Sequence, residues 1–371
     1  MIESVECIVV GAGVVGLAVA RQMAQKGVET IVIESQSQIG TGISSRNSEV
    51  IHGGIYYPPN SLKARLCVQG NKMLYAYCDE RNINHKRCGK LIVATSESQL
   101  QKLTEIKNNA VANSVLDLEF YSKQKVLTLE PELACYGALF SPSTGIIDSH
   151  GLMLNLQGDL ESAGGAVALG AELRSVDCTK SAFLLDIGGT QNIKVNTKYL
   201  INCAGLHAQH IAKRFHGLPQ NSVPQIHYAK GNYYALSGKA PFSHLIYPIP
   251  ESAGLGVHST LDLGNSVRFG PDVEWVNELD YSVDPSRADA FYHQIRKYWP
   301  NLKDDSLEPS YAGIRPKLHA KGEEAKDFMI QTESEHGIAG LINLYGIESP
   351  GLTASMAIGA MVVEKLLAKK R

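Results

Sequence analysis

Glu6-Cys7-Ile8-Val9-Val10-Gly11-Ala12-Gly13-Val14-Val15-Gly16-Leu17-Ala18-Val19-Ala20-Arg21-Gln22-Met23, then Lys26-Gly27, then Thr30-Ile31-Val32-Ile33-Glu34, sets the beginning of the fold. The first apolar run is rich in branched side chains and reads as a strand. The glycines read as a turn, and the apolar stretch behind them as a helix closed at Lys26-Gly27. The second apolar run returns parallel to the first, giving a beta-alpha-beta unit and two strands of a doubly wound sheet. In Gly11-x-Gly13-x-x-Gly16 the first glycine permits the tight turn and the second lets backbone approach a pyrophosphate. The third lets helix and strand pack closely, with Val14 and Val15 in the turn at the helix N-terminus that would hold the phosphates. Glu34 ends the second strand where a carboxylate accepts hydrogen bonds from ribose hydroxyls, and its charge disfavours a 2′-phosphate. The expected ligand is a dinucleotide other than NADP.

Working outward, 371 residues with 44% hydrophobic and 19% charged side chains suit a globular enzyme with a large core or two intimate domains. The formal net charge is −2, so no global field recruits nucleic acid or an anionic membrane, and an anionic ligand must be captured locally. Seven scattered cysteines form no C-x-x-C pair and no Cys/His metal spacing, so they read as reduced and structural, with no metal expected. Residues 1–20 are apolar, yet Glu3 and Glu6 stand where a signal sequence carries positive charge, and glycines interrupt the run. No stretch reaches the ~20 apolar residues that cross a bilayer. A cytoplasmic protein is expected, at most peripheral to the inner face of a membrane; the basic tail Lys369-Lys370-Arg371 suits a helix C-terminus equally and decides nothing.

Residues 44–57 look too irregular for a strand, and 61–79 have helical periodicity. Residues 91–94 read as a strand, 97–109 as a helix, and 130–143 as turns and short strands. A helix over 149–163 leads into the sheet segment 164–169, and 198–205 is another buried strand ending in glycine. Residues 219–315 alternate apolar and polar positions around Pro and Gly, as antiparallel strands do. A strand over 340–346 leads into a helix over 353–367. The expected fold is α/β, or α+β overall: a discontinuous Rossmann-like nucleotide-binding domain of residues 1–90, 145–218 and 310–371, interleaved with an antiparallel-sheet substrate-binding domain of 91–144 and 219–309.

The run Ile43-Ser44-Ser45-Arg46-Asn47-Ser48-Glu49-Val50-Ile51-His52-Gly53-Gly54-Ile55-Tyr56-Tyr57 resembles the flavin-facing segment of the D-amino-acid-oxidase-like superfamily. That resemblance implies FAD as cofactor, with Ser44, Ser45, Arg46, Asn47 and Ser48 near the pyrophosphate, His52 beside the flavin, and Gly53-Gly54 passing close to the isoalloxazine ring. Asn202-Cys203-Ala204-Gly205 is similar to the superfamily's second flavin motif, which puts Ala204 and Gly205 at the cofactor. Ser349-Pro350-Gly351-Leu352-Thr353 resembles its C-terminal flavin loop, where a helix N-terminus faces flavin N1 and C2=O; an ordinary Pro-capped helix start is the plainer reading. Within the superfamily the match sharpens to the L-2-hydroxyglutarate dehydrogenase/oxidase family over nearly the whole chain. It runs through Ser61-Leu62-Lys63-Ala64, Cys88-Gly89-Lys90-Leu91-Ile92-Val93-Ala94, Thr144-Gly145-Ile146-Ile147-Asp148, Lys230-Gly231-Asn232-Tyr233-Tyr234, Tyr247-Pro248-Ile249-Pro250 and Leu255-Gly256-Val257-His258.

The reaction so implied is oxidation of a small carboxylic acid by hydride transfer from its alpha carbon to flavin N5. It needs a carboxylate anchor and a base for the hydroxyl proton. Arg315, in Ala312-Gly313-Ile314-Arg315-Pro316, matches the superfamily's substrate arginine, and a guanidinium grips a carboxylate through two parallel hydrogen bonds. His258 and His52 both suit the base, and His52 is equally open to a contact or covalent link with the flavin. Lys230, Tyr247 and Arg268 are candidates for a distal carboxylate, and Tyr57, with Tyr56, for shaping the pocket; solvation, ion pairing and packing are the ordinary fates of these residue types. The electron acceptor, whether quinone, oxygen or another carrier, and the oligomeric state stay open. Rival readings are oxidation of an amino acid or amine, oxidation of glycerol 3-phosphate, and a non-catalytic flavin- or nucleotide-binding redox sensor.

Overall fold

Alternate residues of the first strand face opposite cores, which is why it reads as one continuous apolar run. Cys7 and Val9 pack with the helical side chains of Leu17, Leu156 and Ile358. Ile8 and Val10 pack with Leu173, Val176, Leu185 and Leu341 on the other face. The computed structural model describes residues 3–179, 182–189, 192–249 and 256–368. The basic tail, together with Pro250 and Leu255 of the family-like segments, lies outside the described residues.

Glu3–Val10 lies at the centre of a nine-stranded sheet, parallel to Thr30–Glu34 on one side and to Ile193–Asn202 on the other. Ala166–Leu169 extends the parallel part, while Ala171–Cys178 and Phe183–Gly189 lead antiparallel into Ile193–Asn202. Leu341–Tyr345 joins parallel to Ile193–Asn202 from far down the chain and carries Met329–Gln331 at its outer side. A second nine-stranded sheet gathers Lys90–Ala94, Glu119–Ser122 and Gly137–Ser141 with five strands between His227 and Val276 and with Leu307–Lys317.

Three details differ from the expectation. Residues 44–57 contain a 3-10 turn, Ile43–Ser45, and a two-residue strand, Val50–Ile51, which pairs with Gly145–Ile147 in a small third sheet. Leu307–Lys317 pairs in the second sheet although residues 310–371 were expected with the nucleotide-binding domain. It runs antiparallel along His227–Leu236, with Arg315 opposite Ala229 and Gly313 opposite Gly231. The crossing between sheets falls after Lys317, because this long ladder satisfies its backbone groups inside the second sheet. The last helix starts at Gly351 rather than Thr353.

The helical layer closes through glycine contacts. A Cβ on Gly70, in the helix Leu62–Arg81, would lie 2.2 Å from the Thr353 carbonyl oxygen and 2.8 Å from Ala354 Cα. A Cβ on Gly359 would lie 2.8 Å from the Ala18 carbonyl oxygen. Both obstacles are backbone, so a methyl group forces whole helices apart rather than one rotamer. Gly70→Ala is therefore expected to destabilise the fold by about 1–3 kcal/mol, read as a lowered urea midpoint against the unsubstituted protein.

Candidate active site

A cavity of about 1440 Å³ runs from the end of Thr30–Glu34 to the wall of the second sheet, where Tyr247 and His258 stand. It exceeds the ~300–1000 Å³ of an ordinary small-ligand pocket. At one end Gly11, Gly13, Val14 and Val15 form its floor. Gly13 supplies no side-chain cap to the helix Val14–Gln25, and the first turn holds no acidic residue. Val14 N–H donates to Ser44 Oγ at 3.0 Å, and the positive helix end faces the cavity. Glu34 lines the same end; its carboxylate accepts the N–H groups of Ala12 (2.8 Å) and Gln36 (2.9 Å).

Arg46, Asn47 and Ser48 line the middle, as do Ala204 and Gly205. Asn47 ties the turn by donating to the carbonyls of Ile43 and Ser44. Arg46 places its guanidinium 4.2 Å from the Tyr281 ring centroid. Ser48 Oγ shares a 2.8 Å hydrogen bond with the hydroxyl of Tyr233, whose ring stacks on Tyr311. Pro350, Gly351 and Leu352 border the cavity where the last helix begins.

The far end gathers His52, Tyr57, Tyr247, His258 and Arg315. The His258 ring stacks on Tyr247 with centroids 3.6 Å apart and planes 9° from parallel. His52 Nε2 lies 3.3 Å from Ser349 Oγ, and the His52 carbonyl accepts from Asn71 at 3.0 Å. Burial lowers the proton affinity of both imidazoles, with Lys90 adding to the effect. His52 is pushed down to about 3, and His258 falls well below the ordinary range under the further influence of His52 and Arg315. Both rings are neutral at pH 7. Arg315 donates to the Asp272 carbonyl at 3.1 Å. The carboxylate of Asp272 is taken by Arg287 and Asn232. Gly231 lets the guanidinium pass, since a Cβ there would lie 2.6 Å from Arg315 Nη2.

Other expected site residues turn away from the cavity. Lys230 holds Asp280 at 3.0 Å, and Arg268 reaches Asp262 at 3.4 Å beside the Tyr311 ring; neither ammonium nor guanidinium lines the cavity. Gly53 and Gly54 also stand back from it. A Cβ on Gly54 would meet Val68 at 2.6 Å, so that glycine serves packing against the helix Leu62–Arg81. Gly16 is buried under the turn, where a Cβ would lie 2.0 Å from the Gly11 carbonyl oxygen. Ser45 Oγ bonds the Gly42 carbonyl, and Thr353 spends its hydroxyl on the backbone of His52 and Val50.

The sequence reading missed a charged cluster in the cavity wall: Glu348 bonds Lys63 at 3.0 Å and Lys317 at 2.7 Å. Those partners are 285 and 31 positions apart, and no local motif announces them.

A family model for FAD-dependent oxidoreductases matches residues 6–365. The chain belongs to the DAO family of FAD-dependent oxidoreductases. This oxidoreductase is 44% identical to the mitochondrial L-2-hydroxyglutarate dehydrogenase of Arabidopsis thaliana, across 98% of the chain and 84% of that protein. It is 30% identical to the Dictyostelium discoideum protein of the same name, across 96% and 91%. Its fold superposes with a TM-score of 0.89 on the FAD-bound L-alpha-glycerophosphate oxidase of Mycoplasma pneumoniae, 23% identical, covering 100% of this chain and 96% of that one.

Burial works to raise the Glu348 carboxyl, but Lys63 and Lys317 outweigh it and hold the group below the usual carboxylate value. A depressed folded-state value contributes stability above the unfolded value, and that contribution is lost as pH falls through the folded one. Glu348→Gln leaves the buried Lys63 and the partly buried Lys317 ammonium groups without their anion. At pH 7 it is expected to cost about 3–5 kcal/mol in chemical unfolding, with the deficit shrinking as acid protonates Glu348 in the unsubstituted protein.

Proposed function

We propose that this oxidoreductase oxidises L-2-hydroxyglutarate to 2-oxoglutarate. The observation that carries the reading is the 44% identity to the plant dehydrogenase across 98% of the chain, together with a guanidinium and two neutral imidazoles at one end of the cavity. The cavity fits FAD: an uncapped helix end at Val14 and Val15 suits phosphates, Glu34 suits ribose hydroxyls, and the start of the last helix suits the electron-rich end of the flavin. When bound, FAD supplies the hydride acceptor.

The chain's own residues bind, orient and deprotonate. Arg315 has no carboxylate partner among the described residues, so a substrate carboxylate completes its charge and fixes which face of the alpha carbon is presented. His258 is the base in this proposal. Its ring is held flat against Tyr247 and has no ring hydrogen bond among the described residues, whereas His52 is engaged by Ser349. The substrate carboxylates bring negative charge beside an imidazole surrounded by cations, which raises its proton affinity as the hydroxyl proton arrives. His52 then acts as a positioning residue at the same wall. A cytoplasmic placement rests on the sequence alone, and both relatives above are named mitochondrial. Among the described residues no helix is long and apolar enough to cross a membrane.

Mixing the purified yellow protein anaerobically with L-2-hydroxyglutarate is expected to bleach the flavin absorbance, while D-2-hydroxyglutarate and glycerol 3-phosphate leave it. Absence of bleaching by the L isomer overturns the reading. Arg315→Ala should lose a charged hydrogen-bond pair of about 1.5–3 kcal/mol, roughly a 10- to 150-fold fall in kcat/KM with a raised KM. Because burial keeps the base neutral, the acid limb of kcat/KM is expected well below the ordinary histidine value of ~6.5; a limb centred at 6.5 in a pH series removes His258 from the role.

A further inference from the structure

Lys90 opens the strand Lys90–Ala94, in which all five residues are buried, and its own exposure is 1%. A lysine so placed normally sits against a carboxylate. Among the described residues Lys90 has neither an ion pair nor a hydrogen bond. Its Nζ instead lies 4.8 Å from the ring centroid of Tyr56 and 4.7 Å from that of Tyr247, and both rings line the cavity. The groups that feel its charge bring no anion. His52 and His258 are neutral, and burial pushes the Cys67 thiol up to about 12 and the Tyr56 and Tyr247 hydroxyls upward as well. Lys63 and Lys317 share Glu348, Lys230 has Asp280, and Arg268 has Asp262. Lys90 and Arg315 are thus two cations at the reacting end without acidic partners.

We infer that Lys90 is a specificity-determining residue that acts across Tyr56 and Tyr247 to attract the second carboxylate of the substrate, so that the cavity selects doubly charged acids over singly charged ones. This rests on the hydroxy-acid reading, with Arg315 on the carboxylate beside the reacting carbon. Face-on contact with two aromatic rings tolerates the ammonium without neutralising it. A dianion completes the charge balance that the protein leaves open, and a monoanion does not. Burial pushes Lys90 down to about 7, so its charge is present below that pH and fades above it, and the preference for dianions fades with it.

The test uses the flavin-loaded protein and two ligands without a hydroxyl group, glutarate and pentanoate, titrated calorimetrically from pH 6 to 9. At pH 6.5 glutarate is expected to bind more tightly, and its advantage to decline above pH 7. Lys90→Met, close in shape and uncharged, should shrink that advantage roughly 10- to 100-fold while pentanoate binding holds, and should raise KM for L-2-hydroxyglutarate more than it lowers kcat. Lys90→Arg should keep the advantage and extend it to pH 9. An equal loss for both ligands, an unsubstituted protein with no preference for glutarate, or a Lys90→Arg profile that still declines above pH 7 overturns the proposal. Should Lys90→Met not fold, the Lys90→Arg profile alone decides. The ligand ratio is read without turnover, so a protein that prefers glutarate yet is not bleached by L-2-hydroxyglutarate sinks the functional reading and leaves the Lys90 result standing.

Discussion

The Thr353 hydroxyl accepts the backbone N–H of His52 at 3.0 Å and donates to the carbonyl of Val50 at 3.2 Å. This bridge, made by a fully buried threonine, ties the segment that forms one wall of the cavity to the first turn of the last helix. That helix is in turn held by backbone-close contacts at Gly70 and Gly359. The cavity is therefore bounded by elements whose mutual distance is set by backbone rather than by adaptable side chains. Such construction suits a site that must hold a bound acid at a fixed angle to a prosthetic group.

Electrostatics divides the cations in and around the reacting end of the cavity into two kinds. Lys63, Lys317, Lys230 and Arg268 have carboxylates of their own and contribute to the fold. Arg315 and Lys90 have none among the described residues and leave positive charge uncompensated there. With the net charge of the chain near neutrality, this local excess of positive charge favours an anion at that end, and the low-polarity surroundings that depress the two histidines strengthen it.

Much of this was legible in the sequence where the signal is local. The opening strand, glycine turn, helix and second strand follow from periodicity over thirty-odd residues, because hydrogen bonding within and between near neighbours dictates them. The motif around Arg315 is visible in the letters, but nothing in Leu307–Lys317 states which strand it will meet, and it pairs with His227–Leu236 in the second sheet. Lys230 and Arg268 looked like ligands until Asp280 and Asp262 came into view. The Glu348 cluster was invisible because its members meet only after the chain has closed on itself. Lys90 is the instructive case: a lone charge heading the run Leu91-Ile92-Val93-Ala94 is an anomaly visible in the letters alone, and it passed as part of a family-like segment.

The pairing of Leu341–Tyr345 with Ile193–Asn202, and of that strand with Glu3–Val10, has a bearing on biosynthesis. The central parallel ladder joins residues nearly two hundred positions apart, so the contact order is high and assembly slow. While the ribosome is still making the second sheet, the early parallel strands wait with an open edge. The nucleotide pocket is thus a late product of translation, sealed only when the last apolar segment emerges, and the nascent enzyme depends until then on whatever shields its unfinished ladder from aggregation.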